Sequence, residues 1–292
     1  MAIRLAEGLP AAAELAREGV PLFSDDRPAR RVLMVNLMPE KQKTERQIAR
    51  KLGLAGPDIA LSLAVPSRYR GKNADPGHMA AFYGGLEAAD QADGVILTGA
   101  PIELLDFDNV DYWEEIAHML DGLRARKTPL FTLCWAAQAA LYRYYGVPKH
   151  ALPEKRFGVF EHRIAAPASP AMAGIEGPVA MPVSRHTETR REDLERAGEG
   201  LDLLLDHDEA NVGAICEPAL GHVHALNHFE YEAGTLDDEY RRDLGRRDDV
   251  PAPKAYYPDD DPAQPPGDRW RAAGERFYAN WVAMLARREQ DR

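Results

Sequence analysis

Three residue types in this sequence, a cysteine, a histidine and a glutamate, form a set that could carry out nucleophilic catalysis. Cys134 stands where a short apolar segment, Leu130 to Leu133, gives way to an alanine-rich segment, Ala136 to Tyr142. We predict a buried strand followed by a helix, so that the thiol lies at the C-terminal edge of a sheet and at a helix N-terminus, which stabilises a thiolate. The alternative is a buried cysteine that packs as a small hydrophobic residue.

His228 and Glu230 supply the partners that such a thiol needs. His228 follows a predicted strand, so the imidazole and the thiol of Cys134 could meet at one edge of the sheet. Glu230 lies two residues further along an extended segment and points to the same side, where its carboxylate could orient the imidazole. The three form a nucleophile, a base and an orienting group. The alternative for the histidine is a side chain that only makes structural hydrogen bonds.

Two further patterns bear on the chemistry. Gly99 and Ala100 end an apolar segment, and their backbone N–H groups could line an oxyanion hole, although a plain tight turn explains them almost as well. His222, His224 and His228 share one face of an extended segment, but no second cluster supplies further ligands, so we predict no metal site. The sequence has no Walker loop and no G-x-G-x-x-G motif.

The elements that must position these residues alternate in type through the first half of the chain. We predict buried strands at 31–39, Ile59 to Val65, 92–101 and Leu130 to Leu133. Helices are expected between them, one of them starting with a capping box of Thr44 and Gln47. This alternation predicts a mostly parallel α/β sheet with helices on both faces and a site at the carboxyl ends of the strands.

The second half of the chain is richer in proline and less regular. We predict short or edge strands at 157–160 and 180–183, and helices at Leu236 to Leu244 and through Trp270, Phe277, Tyr278 and Trp281. Three closely spaced strands predict an added antiparallel section: Leu201 to Leu205, Val212 to Cys216 and Val223 to Leu226. We predict one domain over 1–292, with a covering N-terminal arm at 1–30 and a C-terminal extension at 250–292.

Composition excludes several classes of partner. The 292 residues carry a net charge of −11, which argues against nucleic acid and anionic membranes. Two distant cysteines, no secretory pattern and no apolar stretch long enough to span a bilayer predict a soluble, cytoplasmic protein. A basic loop with Arg68, Arg70 and Lys72 is either a solvated surface or an anchor for phosphates.

Ordered motifs along nearly the whole chain resemble the homoserine O-acyltransferase family, whose members acylate homoserine from acyl-CoA early in methionine synthesis. The resemblance implies a flavodoxin-like, class I glutamine amidotransferase-like fold, in agreement with the alternation above. The matching motifs are Asn36-Leu37-Met38-Pro39, Thr44-Glu45, Thr98-Gly99-Ala100-Pro101, Asp111-Tyr112-Trp113, Cys134-Trp135-Ala136-Ala137-Gln138-Ala139, Lys155 with Gly158-Val159, Ser184-Arg185, His228-x-Glu230-Tyr231 and Arg242-Asp243.

The resemblance also implies a role for each site residue. Cys134 attacks the thioester and becomes the acyl-enzyme, His228 is the general base, and Glu230 holds the imidazole. Backbone N–H groups at Gly99 and Trp135 stabilise the tetrahedral oxyanion. The mechanism is ping-pong, because splitting the transfer lets CoA leave before the acceptor enters.

Lys155, Ser184 and Arg242 match positions that bind the amino-acid acceptor in the family. Glu103 matches a position that holds glutamate in acetyl-transferring members and glycine in succinyl-transferring ones. A carboxylate there fills space and repels the distal carboxylate of a succinyl group. The resemblance therefore implies a homoserine O-acetyltransferase with acetyl-CoA as cosubstrate, no permanently bound cofactor, small-molecule substrates and a homodimeric state.

Departures from the family pattern keep other functions open. The chain has Asn227 and Phe229 where the family usually has Gly-His-Pro-Glu-Tyr, and His186 where it often has tyrosine. The alternatives are succinyl transfer, acylation of another amino acid, or a Cys-His-Glu amidohydrolase or glutaminase. A catalytically silent sensor on the same fold is a further alternative, but it predicts a lost nucleophile or base, and the sequence retains both.

Overall fold

The computed structural model describes residues 2–71, 74–246 and 250–290, the last five of them without their side chains. Within these residues eleven strands form one sheet. They are β1 (Ile3–Arg4), β2 (Arg30–Val35), β3 (Ile59–Ala64), β4 (Tyr83–Gly84), β5 (Gly94–Leu97), β6 (Leu130–Leu133), β7 (His150–Ile164), β8 (Val179–Glu188), β9 (Asp202–His207), β10 (Asn211–Glu217) and β11 (His222–Ala225). The helices are α1 (Pro10–Arg17), α2 (Lys41–Gly53), α3 (Pro76–Phe82), α4 (Trp113–Ala125), α5 (Trp135–Tyr145), α6 (Arg191–Ala197), α7 (Thr235–Leu244) and α8 (Arg271–Gln290).

The centre of the sheet is parallel and covered on both faces. Strands β3, β2, β5, β6 and β11 lie side by side in that order, each parallel to the next. Alternate residues of β2 face opposite ways: Met34 joins a core cluster with Leu52 of α2, and Leu33 joins another with Leu120 of α4. The structure confirms the expected parallel sheet with helices on both faces.

An antiparallel section continues the sheet beyond β11. Strand β10 pairs antiparallel with both β11 and β9, β9 pairs with β7, and β7 pairs with β8. The expected antiparallel cluster is therefore present, and β11 also joins it to the parallel half through β6. Of the short or edge strands predicted at 157–160 and 180–183, the second lies in β8, which is an edge strand, but the extents were wrong, because β7 has 15 residues and β8 has 10. Much of β7 is exposed, so its sequence lacks the long apolar run of a buried strand.

The two ends of the chain pack on the parallel half. Strand β1 pairs with β3, and Leu15 of α1 is fully buried beside it. The predicted capping box was wrong: α2 begins at Lys41, and Thr44 donates its hydroxyl to the Glu40 carbonyl inside the first turn. Helix α8 stacks Tyr278 on Phe131 of β6, with ring centroids 4.6 Å apart.

Across the part of the chain that the structure describes, no helix combines the length and apolarity that crossing a membrane requires.

Candidate active site

Cys134 lies at the turn between β6 and α5, as the sequence predicts. Its backbone has φ 51° and ψ −116°, a conformation that non-glycine residues seldom adopt and that sharp nucleophile turns share. The Cys134 N–H donates to the carbonyl of Ala225 in β11 (2.8 Å), and its carbonyl accepts from the N–H groups of Ala137 and Gln138. The partly buried Cys134 is thus held at the carboxyl edge of the sheet.

Gly99 borders the nucleophile. A Cβ on this glycine would lie 3.1 Å from the Cβ of Cys134 and 3.4 Å from the Leu133 carbonyl oxygen, so the close approach favours glycine. Among the residues described, the backbone N–H groups of Gly99 and Trp135 have no acceptor. Both donors therefore remain open beside the thiol, where an oxyanion hole needs them.

His228 and Glu230 come together with Cys134. The His228 N–H donates to the Pro182 carbonyl (2.9 Å), which fixes the loop that follows β11. The His228 imidazole donates from Nδ1 to Glu230 Oε1 at 2.6 Å and lines the same cavity as Cys134. Its ring stacks on Tyr231 with centroids 4.2 Å apart. Because only 3% of His228 and 5% of Glu230 are exposed, water is largely excluded from this pair.

The electrostatics of the trio favour a protonated imidazole. Burial alone would lower the pKa of His228, but the negative charge of Glu230, the interaction with Cys134 and the hydrogen bond to Glu230 outweigh it. The pKa of His228 is consequently raised well above its ordinary value. An imidazole in this setting accepts a proton from the thiol readily and keeps it beside the anion that results.

A cavity of about 560 Å³ opens over the thiol. Glu230 and Trp135 are buried and do not line this cavity. Of the nine residues to which the resemblance gives a role, seven line the cavity: Gly99, Glu103, Cys134, Lys155, Ser184, His228 and Arg242. Parts of the chain that are far apart in sequence therefore surround one space large enough for a small substrate.

A carboxylate that the sequence analysis missed, Glu239 of α7, lines this cavity beside Lys155 and Ser184. Glu239 accepts hydrogen bonds from Ser184 Oγ (2.5 Å), Tyr231 Oη (2.9 Å) and Lys155 Nζ (3.3 Å). The guanidinium of Arg242 donates from Nε to Asp243 and is otherwise partly exposed. The helical spacing of 239 to 242 puts both side chains on one face, and this spacing was the pattern that could have identified Glu239.

Glu103 lies on the loop after β5, at the edge of the cavity. Lys149 donates to the Glu103 carbonyl (2.7 Å) and to the Leu105 carbonyl, which fixes the loop backbone. The Glu103 carboxylate lies 3.5 Å from the hydroxyl of Thr187. The loop therefore presents a carboxylate to the space in front of Cys134.

The three departures from the family pattern occupy different places. His186 lines the cavity. Asn227 is fully buried and hydrogen-bonds Arg185 and His162, and Phe229 packs on Phe277 at 5.1 Å between centroids. Only His186 is therefore in a position to touch an acceptor directly.

Arg68 and Arg70 of the basic loop do not line the Cys134 cavity. Arg70 donates to the carbonyls of Ser67 and Tyr69, and Arg68 lines a separate depression of about 760 Å³. Lys72 lies outside the described residues, so the phosphate-binding role of this loop stays a prediction. Within the described residues, no group of three or more histidine, cysteine, aspartate or glutamate side chains is arranged to hold a metal ion.

Solved structures similar to this chain share its fold. A glutamine amidotransferase from Thermotoga maritima aligns with a TM-score of 0.57 and 11% identity, covering 90% of this chain and 98% of that one. A glutamine amidotransferase from Methylobacillus flagellatus aligns with a TM-score of 0.51 and 11% identity, covering 89% and 94%. At this identity the likeness shows the fold, which is class I glutamine amidotransferase-like as expected.

Proteins matched by sequence have a much higher identity to this chain than these solved structures do. A protein of Novosphingobium aromaticivorans named homoserine O-acetyltransferase is 41% identical over 290 residues, covering 97% of this chain and 95% of its own length. One of Rhizorhabdus wittichii with the same name is 42% identical over 296 residues, covering 98% and 92%. The model of the family described as homoserine O-succinyltransferase matches residues 2–291. The chain therefore belongs to the homoserine O-succinyltransferase family.

Proposed function

We propose that this protein is a homoserine O-acetyltransferase of methionine biosynthesis that uses acetyl-CoA and forms an acyl-enzyme on Cys134. The names of its relatives support the reaction. The single observation that carries the mechanism is that the Cys134 thiol and the His228 imidazole line one open cavity, with His228 held by Glu230 at 2.6 Å. No other described thiol has this setting, since Cys216 is fully buried in β10.

In the first half-reaction, His228 takes the proton of the Cys134 thiol and the sulfur attacks the thioester carbonyl of acetyl-CoA. The carbonyl oxygen becomes an oxyanion and accepts hydrogen bonds from the backbone N–H groups of Gly99 and Trp135. When the intermediate collapses, the C–S bond to CoA breaks, and His228 returns the proton to the departing thiolate. The acetyl group is then left on Cys134, and Glu230 holds the imidazole throughout.

In the second half-reaction, the acceptor hydroxyl replaces CoA beside His228. The imidazole removes the hydroxyl proton as the oxygen attacks the acetyl carbonyl on Cys134. Collapse of the second oxyanion breaks the C–S bond, forms the O-acetyl ester and delivers the proton to the sulfur. One base therefore serves both halves, because acyl-CoA and acceptor use the same cavity in turn.

The charged side of the cavity fits an amino-acid acceptor. A guanidinium such as that of Arg242 can donate two hydrogen bonds to an α-carboxylate, and Lys155 and Ser184 offer further donors. Glu239 offers the negative charge that an α-ammonium group requires, and its present partners show that it accepts three donors at once. We assign Glu239 to the ammonium group and Arg242 to the carboxylate.

Glu103 determines which acyl group the site accepts. Its carboxylate faces the space in front of Cys134, where a succinyl chain would bring a second carboxylate. Two like charges in a partly dry cavity repel each other by several kcal/mol, whereas an acetyl group carries no charge. We therefore assign acetyl-CoA as the donor.

The family resemblance supports a homodimer, and the pathway supports a cytoplasmic enzyme with all of 1–292 in one acyltransferase domain.

The test is a direct assay of both substrates. Purified protein is mixed with acetyl-CoA and homoserine, free thiol is followed with a thiol reagent, and the product is identified by mass. We expect O-acetylhomoserine and stoichiometric CoA, little product with succinyl-CoA, and none from the Cys134→Ala variant. Glutamine is tested in parallel, since ammonia release without acetyl transfer would establish the amidohydrolase alternative instead.

A further inference from the structure

The loop that carries the candidate base leaves the sheet before it reaches Glu230. The His228 N–H still bonds to the Pro182 carbonyl of β8 at 2.9 Å, and the Glu232 N–H bonds to Thr235 Oγ1 at 3.0 Å. Between these two points lies the segment 229–231, which belongs to neither a strand nor a helix. Within the residues that the structure describes, one hydrogen bond reaches the backbone of this segment, and its donor lies outside the sheet.

That donor is Trp270, which directly precedes α8. Its indole Nε1 donates to the Tyr231 carbonyl at 2.7 Å, and the bond is buried, with only 1% of Trp270 exposed. The Trp270 carbonyl in turn accepts from the Gly274 N–H at 2.9 Å, which fixes the indole to the first turn of α8. Loss of the donor would leave a buried carbonyl without a partner, so the bond holds this part of the loop against the helix.

Helix α8 also contacts the loop at Phe229. A Cβ on Gly274 would lie 2.9 Å from the Phe229 carbonyl oxygen and 3.2 Å from the Phe229 Cβ, so the glycine permits a close approach of helix and loop. The ring of Phe277, one turn further along α8, packs on the Phe229 ring at 5.1 Å between centroids. The helix therefore contacts the residue on each side of Glu230.

Tyr231 passes this position on to the imidazole. Its ring stacks on the His228 ring with centroids 4.2 Å apart and an angle of 16° between the planes, and its hydroxyl donates to Glu239 at 2.9 Å. Glu230, the residue before it, accepts from His228 Nδ1 at 2.6 Å. A shift of the backbone at Tyr231 would therefore disturb both the face of the imidazole and the carboxylate that orients it.

We propose that Trp270 is a positioning residue: its hydrogen bond to the Tyr231 carbonyl keeps Glu230 and the Tyr231 ring in register with His228. The proposal rests on the proposed function only in taking His228 as the base. Trp270 does not line the Cys134 cavity, so it acts on the reaction through the loop and not through a contact with substrate.

The test variant is Trp270→Phe, which removes the donor and keeps an aromatic ring. The first readout needs no substrate: the rate at which the His228 Nδ1 proton exchanges with water, measured by NMR on protein with isotope-labelled histidine. We expect exchange to become about tenfold faster, because the loop opens more often once the hydrogen bond is lost. The second readout is CoA release from acetyl-CoA without acceptor. Its rate constant should fall about three- to tenfold, while its amplitude, which counts folded active molecules, stays that of wild type.

Two controls separate positioning from general loosening. Trp281→Phe removes an indole from the same helix, where the side chain is fully buried and its Nε1 has no acceptor among the described residues. Tyr257→Phe removes another hydrogen bond made by the C-terminal extension, which ends on Asp237 of α7 and not on the base loop. Both controls should lower the melting temperature and leave exchange at His228 and the rate constant of CoA release as in wild type.

Wild-type exchange in folded Trp270→Phe would overturn the proposal, and so would equal acceleration in Trp281→Phe, which would indicate a packing role. Should Trp270→Phe not fold, Gly274→Ala is the second variant: alanine favours a helix, and its Cβ would push the Phe229 carbonyl away from α8. Exchange at His228 should accelerate there too, and unchanged exchange also rejects the proposal. Absence of CoA release from wild type, together with the expected exchange series, would count against the proposed function alone.

Discussion

Replacing Glu230 with glutamine removes one charge from the site and leaves its shape almost unchanged. The hydrogen bond that changes joins His228 Nδ1 to Glu230 Oε1 at 2.6 Å, between side chains that are almost fully buried. A hydrogen bond to a charged group contributes about 1.5–3 kcal/mol. Since one pKa unit corresponds to about 1.4 kcal/mol, the pKa of His228 should fall by roughly one to two units. Acetylation of Cys134 should slow roughly 10- to 150-fold.

The assay is a single-turnover measurement of CoA release from acetyl-CoA without acceptor, together with an NMR titration of His228. Glu232→Gln is the matched control, because Glu232 lies in the same loop but pairs with Arg46 and Arg50. That control should lower thermal stability and leave acetylation unchanged. An acetylation rate in Glu230→Gln within twofold of wild type, or an unaltered titration of His228, would refute the reasoning.

The same pair makes stability depend on pH with a definite sign. The folded pKa of His228 lies above its unfolded value, so the protonated pair stabilises the fold fully below about pH 6.5. That stabilisation is lost as pH rises through the raised folded pKa. The difference in unfolding free energy between wild type and Glu230→Gln, measured in urea, should therefore be largest near pH 6 and shrink at alkaline pH; a difference that grows with pH contradicts the assignment.

Three further substitutions test other parts of the site and fold. Glu103→Gly should raise kcat/KM for succinyl-CoA relative to acetyl-CoA at least tenfold, and an unchanged ratio rejects the acyl assignment. Glu239→Gln should raise KM for homoserine about tenfold or more, because it removes the charge that binds an ammonium group. The rate of CoA release in the absence of acceptor should stay as in wild type. Slower acetylation of Cys134 would contradict the assignment of Glu239 to the acceptor. Gly158→Ala should destabilise the fold by about 3 kcal/mol or more, because φ is +148° and a Cβ would lie 2.3 Å from the Lys254 carbonyl oxygen. Its control, Gly146→Ala, lies at φ +67° with open space around it and should cost only about 1–2 kcal/mol. Equal melting temperatures for the two variants would contradict this expectation.

The sequence predicted best where burial is complete. Leu130 to Leu133 is a strand with the predicted bounds, because a strand buried on both faces has to be apolar throughout. The turn at Cys134 could be predicted as well, because the change from apolar to alanine-rich sequence was enough to place it. The closeness of Cys134 and His228 could be predicted, because the parallel strands β6 and β11 end at the same edge of the sheet.

Side chains whose roles depend on neighbours outside their own element could not be predicted in the same way. Glu239 stands in a helix crowded with charges, and only packing of α7 against Ser184 and Lys155 shows that its carboxylate faces the cavity. Arg185 is charged, and charged residues are rarely buried without a partner, so its exposure of only 2% could not be expected from the sequence. Its burial depends on acceptors from β8, β9–β10 and the β11 loop, which meet only after folding.

Intact-protein mass spectrometry after mixing the enzyme with acetyl-CoA alone reports on the thiol itself. The predicted result is a mass increase of one acetyl group, mapped to Cys134 and discharged when homoserine is added. An unmodified protein that nevertheless makes O-acetylhomoserine, or an acetyl group that stays on the protein when homoserine is present, would contradict transfer through the cysteine.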